Sequence, residues 1–254
     1  MFEANATAVI AWSLAALVAA VGVVVIARRR HPAPAAGGRA RAGRSGPSAA
    51  LLLTVGAPAA VFAVVGALVV AGGTRAWDLS VLRLAARHQA QVAVDLAMGV
   101  TTLGALPVVL ALLAAVLAVL LRRHRWRQAG FVLAASLLAL ACGGLGKIAF
   151  ERPRPRVFSS GHDWSFLTGS GSSWSFPSGH ATAITGLAAA LVVVLWPTRW
   201  RWPALVAALL VCAGVGVTRV YLGAHYPTDV IAGWALAMAA VGATRLAFGD
   251  PAER

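Results

Sequence analysis

Apolar residues in this chain fall in long uninterrupted runs, unlike the three-four spacing of a water-soluble helix. A helix needs about 20 mainly apolar residues to cross a bilayer core. Seven stretches reach or approach that length: 6–27, 49–73, 96–121, 128–146, 181–198, 202–218 and 226–244. The first six hold no Asp, Glu, Lys or Arg, and the seventh holds only Asp229, near its start. The pattern predicts an all-α fold, a polytopic transmembrane helix bundle of about seven spans. Residues 76–90 are patterned differently. Leu79, Leu82 and Ala86 share one helical face, and Ser80, Arg83 and Arg87 share another. That segment predicts a helix lying in the plane of the membrane interface, with no chemistry assigned to it.

Composition agrees. Of the 254 residues, 59% are hydrophobic and 12% are charged, against about 25% charged in soluble domains. This excludes a soluble enzyme and a disordered chain. A net charge of +14 raises the question of nucleic acid, and the distribution of that charge answers it. With the N-terminus outside, fourteen of the 22 basic residues fall on cytoplasmic segments, as orientation in a membrane requires. No nucleic-acid partner is expected. Run 6–27 does not read as a signal peptide, because Glu3 precedes it and Arg28, Arg29 and Arg30 follow it. The expected layout is an extra N-terminal transmembrane helix in 1–30 and a basic, flexible cytoplasmic linker over 31–48. A transmembrane domain follows over 49–248, then a cytoplasmic tail over 249–254. Cys142 and Cys212 sit in apolar runs and imply no disulfide framework.

Three clusters at the expected outer ends of the spans carry the chemistry. The first is Lys147, Arg152, Arg154 and Arg156, four cations within ten residues on the side where basic residues are disfavoured. Lys147 is the only lysine, against 21 arginines. The second is Pro177-Ser178-Gly179-His180, directly before the fifth run. A helix starting there points its free N–H groups and positive dipole end outward, a ready anion site. Ser178 is placed to cap it, and Gly179 permits close approach of a ligand. The third is Thr218-Arg219, then His225, Tyr226, Pro227 and Asp229. Pro227 suits a first helical turn, and His225 and Asp229 are four apart. A carboxylate there can hold one imidazole nitrogen and leave the other as a nucleophile. Each cluster alone has a plain structural explanation: a solvated loop, a helix cap, a polar pair at a helix end. Together, Lys147, Arg154, Arg219 and a helix N-terminus suit a multiply charged oxyanion, phosphate first. The surplus of cations calls for no metal or other cofactor.

The clusters resemble the type-2 phosphatidic acid phosphatase (PAP2) family, an integral-membrane lipid phosphatase family. Its pattern K-x6-R-P is met by Lys147, Arg154 and Pro155, P-S-G-H by Pro177 to His180, and S-R-x5-H-x3-D by Thr218, Arg219, His225 and Asp229, with Thr in place of Ser. Trp77-Asp78 and Thr102-Leu103-Gly104 are weakly similar as well. The resemblance implies a six-helix core, to which 6–27 adds an extra helix. It also implies hydrolysis of a phosphomonoester or diphosphate through a phosphohistidine, without metal. By matching position, His225 attacks phosphorus, Asp229 orients it, and His180 protonates the leaving group. Lys147, Arg154, Ser178, Gly179 and Arg219 then hold the phosphate oxygens. The pattern assigns nothing to Arg152 or Arg156, for which headgroup contacts or no role are expected. Trp164, Trp174 and Phe176 are expected either to seat the pocket at the interface or to pack the loop.

The substrate class implied is a lipid phosphate: polyprenyl diphosphate, phosphatidate or phosphatidylglycerol phosphate. The alternative is a non-catalytic lipid-phosphate binder or transporter of the same fold, which would need the cations and not two histidines with a carboxylate. The expected setting is the cell membrane, multi-pass, with the site on the extracytoplasmic face and the C-terminus cytoplasmic. A reporter fused after Arg254 should read as cytoplasmic and one inserted within 159–172 as external; the reverse pattern rejects this topology.

Overall fold

The computed structural model describes residues 52–155, 174–249 and 251. The expected span 6–27, the linker 31–48, Arg156, His162, Trp164 and tail residues 252–254 lie outside the described residues. A π-helical turn, Leu52–Gly56, leads into α1, Ala57–Val70. Then follow α2, Arg75–Arg87; α3, Gln91–Thr101; α4, Leu106–Arg122; and α5, Trp126–Phe150. The last three are α6, Gly179–Leu195; α7, Arg201–Tyr221; and α8, Pro227–Phe248. Among the described residues there is no β-strand, only an isolated antiparallel bridge between Pro153 and Trp174. The fold is an all-helical membrane bundle, as predicted.

Four stretches are long and apolar enough to cross a membrane: Leu53–Val70, Trp126–Phe150, Arg201–Tyr221 and Pro227–Phe248. The chain is an integral membrane protein. The predicted straight span over 96–121 is replaced by a bent pair, Gln91–Gly104 and Leu106–Arg122, meeting at 51°. The cause is local. Pro107 has no N–H and its ring excludes a continuous preceding turn. The chain therefore closes α3 with a 3₁₀ turn, Thr102–Gly104, and passes through extended Ala105 (ψ 136°) before restarting. Counting this pair as one span gives up to five. Gly179–Leu195 is shorter than a usual span, so a total of seven does not follow from the described helices.

The short helix α6 is the centre of the bundle. It packs against α5, α7 and α8, and every residue from His180 to Leu187 is buried. Outer helices instead turn large apolar side chains outward, such as Val64, Leu110, Leu145 and Leu209, as suits contact with lipid. Small residues set the spacing. A Cβ on Gly186 would lie 2.7 Å from Ala139 Cβ on α5, so the backbones approach as only small residues allow. The predicted amphipathic helix is present as α2. Leu82 is fully buried, Leu79 and Ala86 are half-buried, and Ser80, Arg83 and Arg87 are exposed.

Overpacking a tight helix contact costs about 1–3 kcal/mol. Gly186→Val should therefore lower the thermal midpoint of the purified protein in detergent, whereas Gly99→Ala, at a position with open space around it, should not.

Candidate active site

The site is assembled where the N-termini of α6 and α8 meet the C-termini of α5 and α7. Ser178 is the N-cap of α6, its oxygen accepting from the Ala181 N–H at 3.5 Å. Its own N–H donates to the Asp229 carbonyl at 2.9 Å, tying the starts of α6 and α8 together. Gly179 lies against the Lys147 stem; a Cβ there would be 3.5 Å from Lys147 Cε. His180 is buried one residue on. The bend after α3 supports it, because Gly104 has room only for hydrogen: a Cβ would sit 3.0 Å from His180 Cβ and 2.7 Å from Val215 Cγ1. Among the described residues, His180 Nε2 has no hydrogen-bond partner.

The link between α7 and α8 carries His225. Gly223 takes φ 67° there, which glycine tolerates. The Ala224 and His225 N–H groups then fold back onto the Arg219 carbonyl at 3.0 and 3.2 Å. Although four apart, His225 and Asp229 do not lie on one helical face, because α8 begins only at Pro227. They meet across the cap instead. Asp229 is the third residue of α8, and its Oδ2 accepts from the Tyr226 N–H at 2.9 Å. The same oxygen lies 3.4 Å from His225 Nδ1. Ser175 Oγ sits between the two. It donates to Asp229 Oδ2 and lies 3.3 Å from His225 Nδ1. With that hydroxyl proton directed at the carboxylate, Ser175 Oγ is an acceptor for Nδ1–H. The arrangement places the imidazole proton on Nδ1 and leaves Nε2 unprotonated.

Three cations surround the two histidines. Lys147 Nζ, near the end of α5, donates to the Trp174 carbonyl at 2.8 Å. Arg154 Nη1 donates to the Ala224 carbonyl, next to His225, at 3.0 Å. Arg219, fully buried, donates from Nη1 to Thr101 Oγ1 at 3.2 Å. His180 and His225 interact electrostatically with each other and each with all three cations. Burial first, then the charges of Arg219, Arg154 and Lys147, hold His225 well below the ordinary histidine value of 6.5. Its imidazole is therefore neutral at physiological pH. Burial lowers Arg154 as well, and Asp229 opposes this. The structure thus brings together Lys147, Arg154, Ser178, Gly179, His180, Arg219, His225 and Asp229.

Three residues of the site escaped the sequence reading. Arg152, expected to contact headgroups or nothing, points inward. Its Nη1 donates to Asp229 Oδ1 at 2.6 Å and its Nη2 to Asp78 Oδ2 at 2.8 Å. Asp78 is fully buried on α2, a helix to which no chemistry had been assigned. Its signal was an acid four residues before Leu82, on the apolar stripe. Ser175 had no signal of its own. It reaches the site because the backbone bridge of Pro153 to Trp174 and the bond from the Ser175 N–H to the Arg152 carbonyl (2.6 Å) bind two distant parts of the chain. Phe176 packs the loop: it is fully buried, its ring 4.4 Å from Phe150 and 5.8 Å from Phe62.

The chain is similar to known proteins. The family profile described as the PAP2 superfamily matches residues 128–251. This part of the chain is similar to the PAP2 superfamily. Undecaprenyl-diphosphatase of Sulfolobus acidocaldarius is 32% identical over 122 residues, 48% of this chain and 56% of that protein. Lipid A 1-phosphatase of Rhizobium johnstonii is 44% identical over 92 residues, 35% of each chain. Decaprenylphosphoryl-5-phosphoribose phosphatase of Mycolicibacterium smegmatis is 37% identical over 112 residues, 44% of this chain and 54% of that one. The matched stretches thus span about a third to just over half of those relatives' lengths. The fold is also that of a transmembrane PAP2 type phosphatidylglycerolphosphate phosphatase from Bacillus subtilis. The TM-score is 0.65 at 23% identity, covering 74% of this chain and 94% of that one. Lys147 through Asp229 all lie inside the superfamily match.

The state of His225 has a consequence for stability. Its folded form refuses a proton that the unfolded chain binds below about pH 6.5, so the unfolded state holds more protons in acid and stability rises with pH there. The contribution is complete above that pH and is lost as pH falls below it. The thermal midpoint in detergent should drop between pH 7.5 and 5, and His225→Gln should flatten part of that slope; an unchanged slope rejects a buried neutral His225.

Proposed function

We propose that this protein is a membrane lipid phosphatase that transfers a phosphoryl group from a lipid phosphomonoester or diphosphate to His225 and then to water. The observation that carries the reading is the convergence of Lys147, Arg154 and Arg219 on two histidines at the start of α6, with one histidine held by Asp229. Phosphoryl transfer asks mainly for positioning and charge stabilisation. The three cations, the first-turn amides from Gly179 and the Ser178 hydroxyl are the donors for the phosphate oxygens. His225 Nε2 forms a bond to phosphorus as the bond from phosphorus to the leaving oxygen breaks. His180, whose Nε2 has no partner among the described residues, takes up a proton as the bound phosphate offsets the three cations, and gives it to the departing oxygen. Water then attacks the phosphohistidine, returns a proton to His180, and phosphate leaves with His225 restored. Splitting one displacement into two is the gain of covalent catalysis. Among the described residues, Asp78 and Asp229 are both engaged by Arg152 and the charges acting on the two histidines are those of Lys147, Arg154 and Arg219, so the charge neutralisation falls to the protein's own cations and the reaction is metal-independent.

The lipid part of the proposal follows from position. The site lies at helix ends, where headgroups would be, and the named relatives are phosphatases acting on lipid or polyprenyl phosphates. An apolar groove of about 580 Å³ between α2, α7 and α8 has Tyr221 and Pro227, either side of the His225 link, in its wall. It suits a hydrocarbon chain. The active site faces the extracytoplasmic side, with the N-terminus outside, the C-terminus cytoplasmic and the domain occupying 49–248.

The test is phosphate release by the purified protein in detergent from a prenyl diphosphate, phosphatidate and phosphatidylglycerol phosphate. Release from at least one is expected, unchanged by excess EDTA. His225→Ala should lower turnover by about 10⁶-fold, the scale of losing a nucleophile. Asp229→Asn should lower kcat more than it raises KM. Full turnover by His225→Ala overturns the phosphohistidine, and binding of lipid phosphate without turnover by the wild type favours a binder or transporter.

A further inference from the structure

Arg152 belongs to no motif that named the site, yet it is among the most constrained residues in it. Its guanidinium makes four contacts: Asp229 Oδ1 at 2.6 Å, Asp78 Oδ2 at 2.8 Å, Thr228 Oγ1 at 2.8 Å, and the Tyr226 ring, whose centroid is 3.9 Å from Cζ. Only a planar fork satisfies two carboxylates at this separation; a lysine offers a point charge. Asp78 is itself held, accepting from the Thr228 N–H at 3.1 Å and from the Thr228 hydroxyl. The chain Asp78–Arg152–Asp229 therefore runs from α2, through the second residue after α5, to the first turn of α8.

We infer that Arg152 and Asp78 are positioning residues for the nucleophile, acting through Asp229. Arg152 takes one carboxylate oxygen, Oδ1, and so aims the other, Oδ2, at Ser175 Oγ, the Tyr226 N–H and His225 Nδ1. The His225 ring is then fixed before substrate arrives. Charge matters as much as aim. Phosphorylation of Nε2 makes the imidazole more positive, and a carboxylate behind it stabilises that charge. An arginine alone would neutralise Asp229 and weaken this effect. Asp78 balances Arg152, so the trio keeps one net negative charge facing the imidazole. The inference rests on the proposed phosphohistidine and adds to it two residues that do not touch phosphate.

Arg152→Gln should lower kcat by about 10- to 100-fold, the usual range for removing an outer partner of a reacting group, with KM changed by less than about threefold. Asp78→Asn, which leaves the Arg152–Asp229 pair in place, should lower kcat about 10-fold and serves if Arg152→Gln does not fold. Arg152→Lys should recover part of the loss. In an Asp229→Asn background, Arg152→Gln should cost less than about threefold, because the two changes interrupt one chain. A raised KM with kcat retained would show Arg152 contacting substrate, and an equal loss in both backgrounds would show it acting elsewhere; either overturns the inference. A second readout needs no turnover. In ¹⁵N-histidine-labelled protein in micelles, with His225 assigned by His225→Gln, the Nδ1 resonance should move in Arg152→Gln and in Asp78→Asn. An unmoved resonance overturns the inference even if the phosphatase reading stands. A moved resonance in a wild type that releases no phosphate sustains the positioning role and rejects that reading.

Discussion

Charge taken out of water governs this molecule. Arg219, Asp229, Asp78 and His225 are all essentially fully buried at one end of an apolar bundle. Removing a charge from water costs several kcal/mol unless partners are waiting. The partners are found in an orderly division. Arg152 lies between the two carboxylates, and Asp229 divides its oxygens between Arg152 on one side and the Ser175–Tyr226–His225 group on the other. The cations Lys147, Arg154 and Arg219 crowd the remaining space, where mutual repulsion favours a dense anion over any neutral guest.

The bundle makes this possible by putting a short apolar helix in the middle. α6 is enclosed by α5, α7 and α8, so its N-terminus opens inside a ring of other helix ends. Two features hold that end in place. The Ser178 N–H is bonded to the Asp229 carbonyl, which fixes α6 against α8. The bend at Ala105 brings Gly104 against His180 and Val215. A straight helix over 96–121 would have carried that contact away. The break in a span is thus a structural support for the site, caused by Pro107 and filled by a glycine.

Much of the site was legible because membranes make polar residues conspicuous. His180, Arg219, His225 and Asp229 stand out at the edges of runs that otherwise exclude charge, and the spacing of Lys147 and Arg154 completes the family pattern. Asp78 carries only a weak family similarity on an amphipathic helix, and Arg152 is one of four clustered cations to which the family pattern assigns no role. Nothing in their spacing of 74 residues says that they touch. Ser175 is one serine in a serine-rich stretch, and its place between His225 and Asp229 depends on a backbone bridge from the far side of that loop.

From the chain alone came the helical class, the apolar spans, the amphipathic α2 and the candidate residues that the structure brings together, since hydrophobic run length and residue chemistry are local properties. Left to the tertiary structure were the central position of α6, the His225 contact made across a helix cap and the Asp78–Arg152–Asp229 bridge. Those depend on which buried donors and acceptors meet once the helices pack, and every buried charge must find its counterpart in three dimensions.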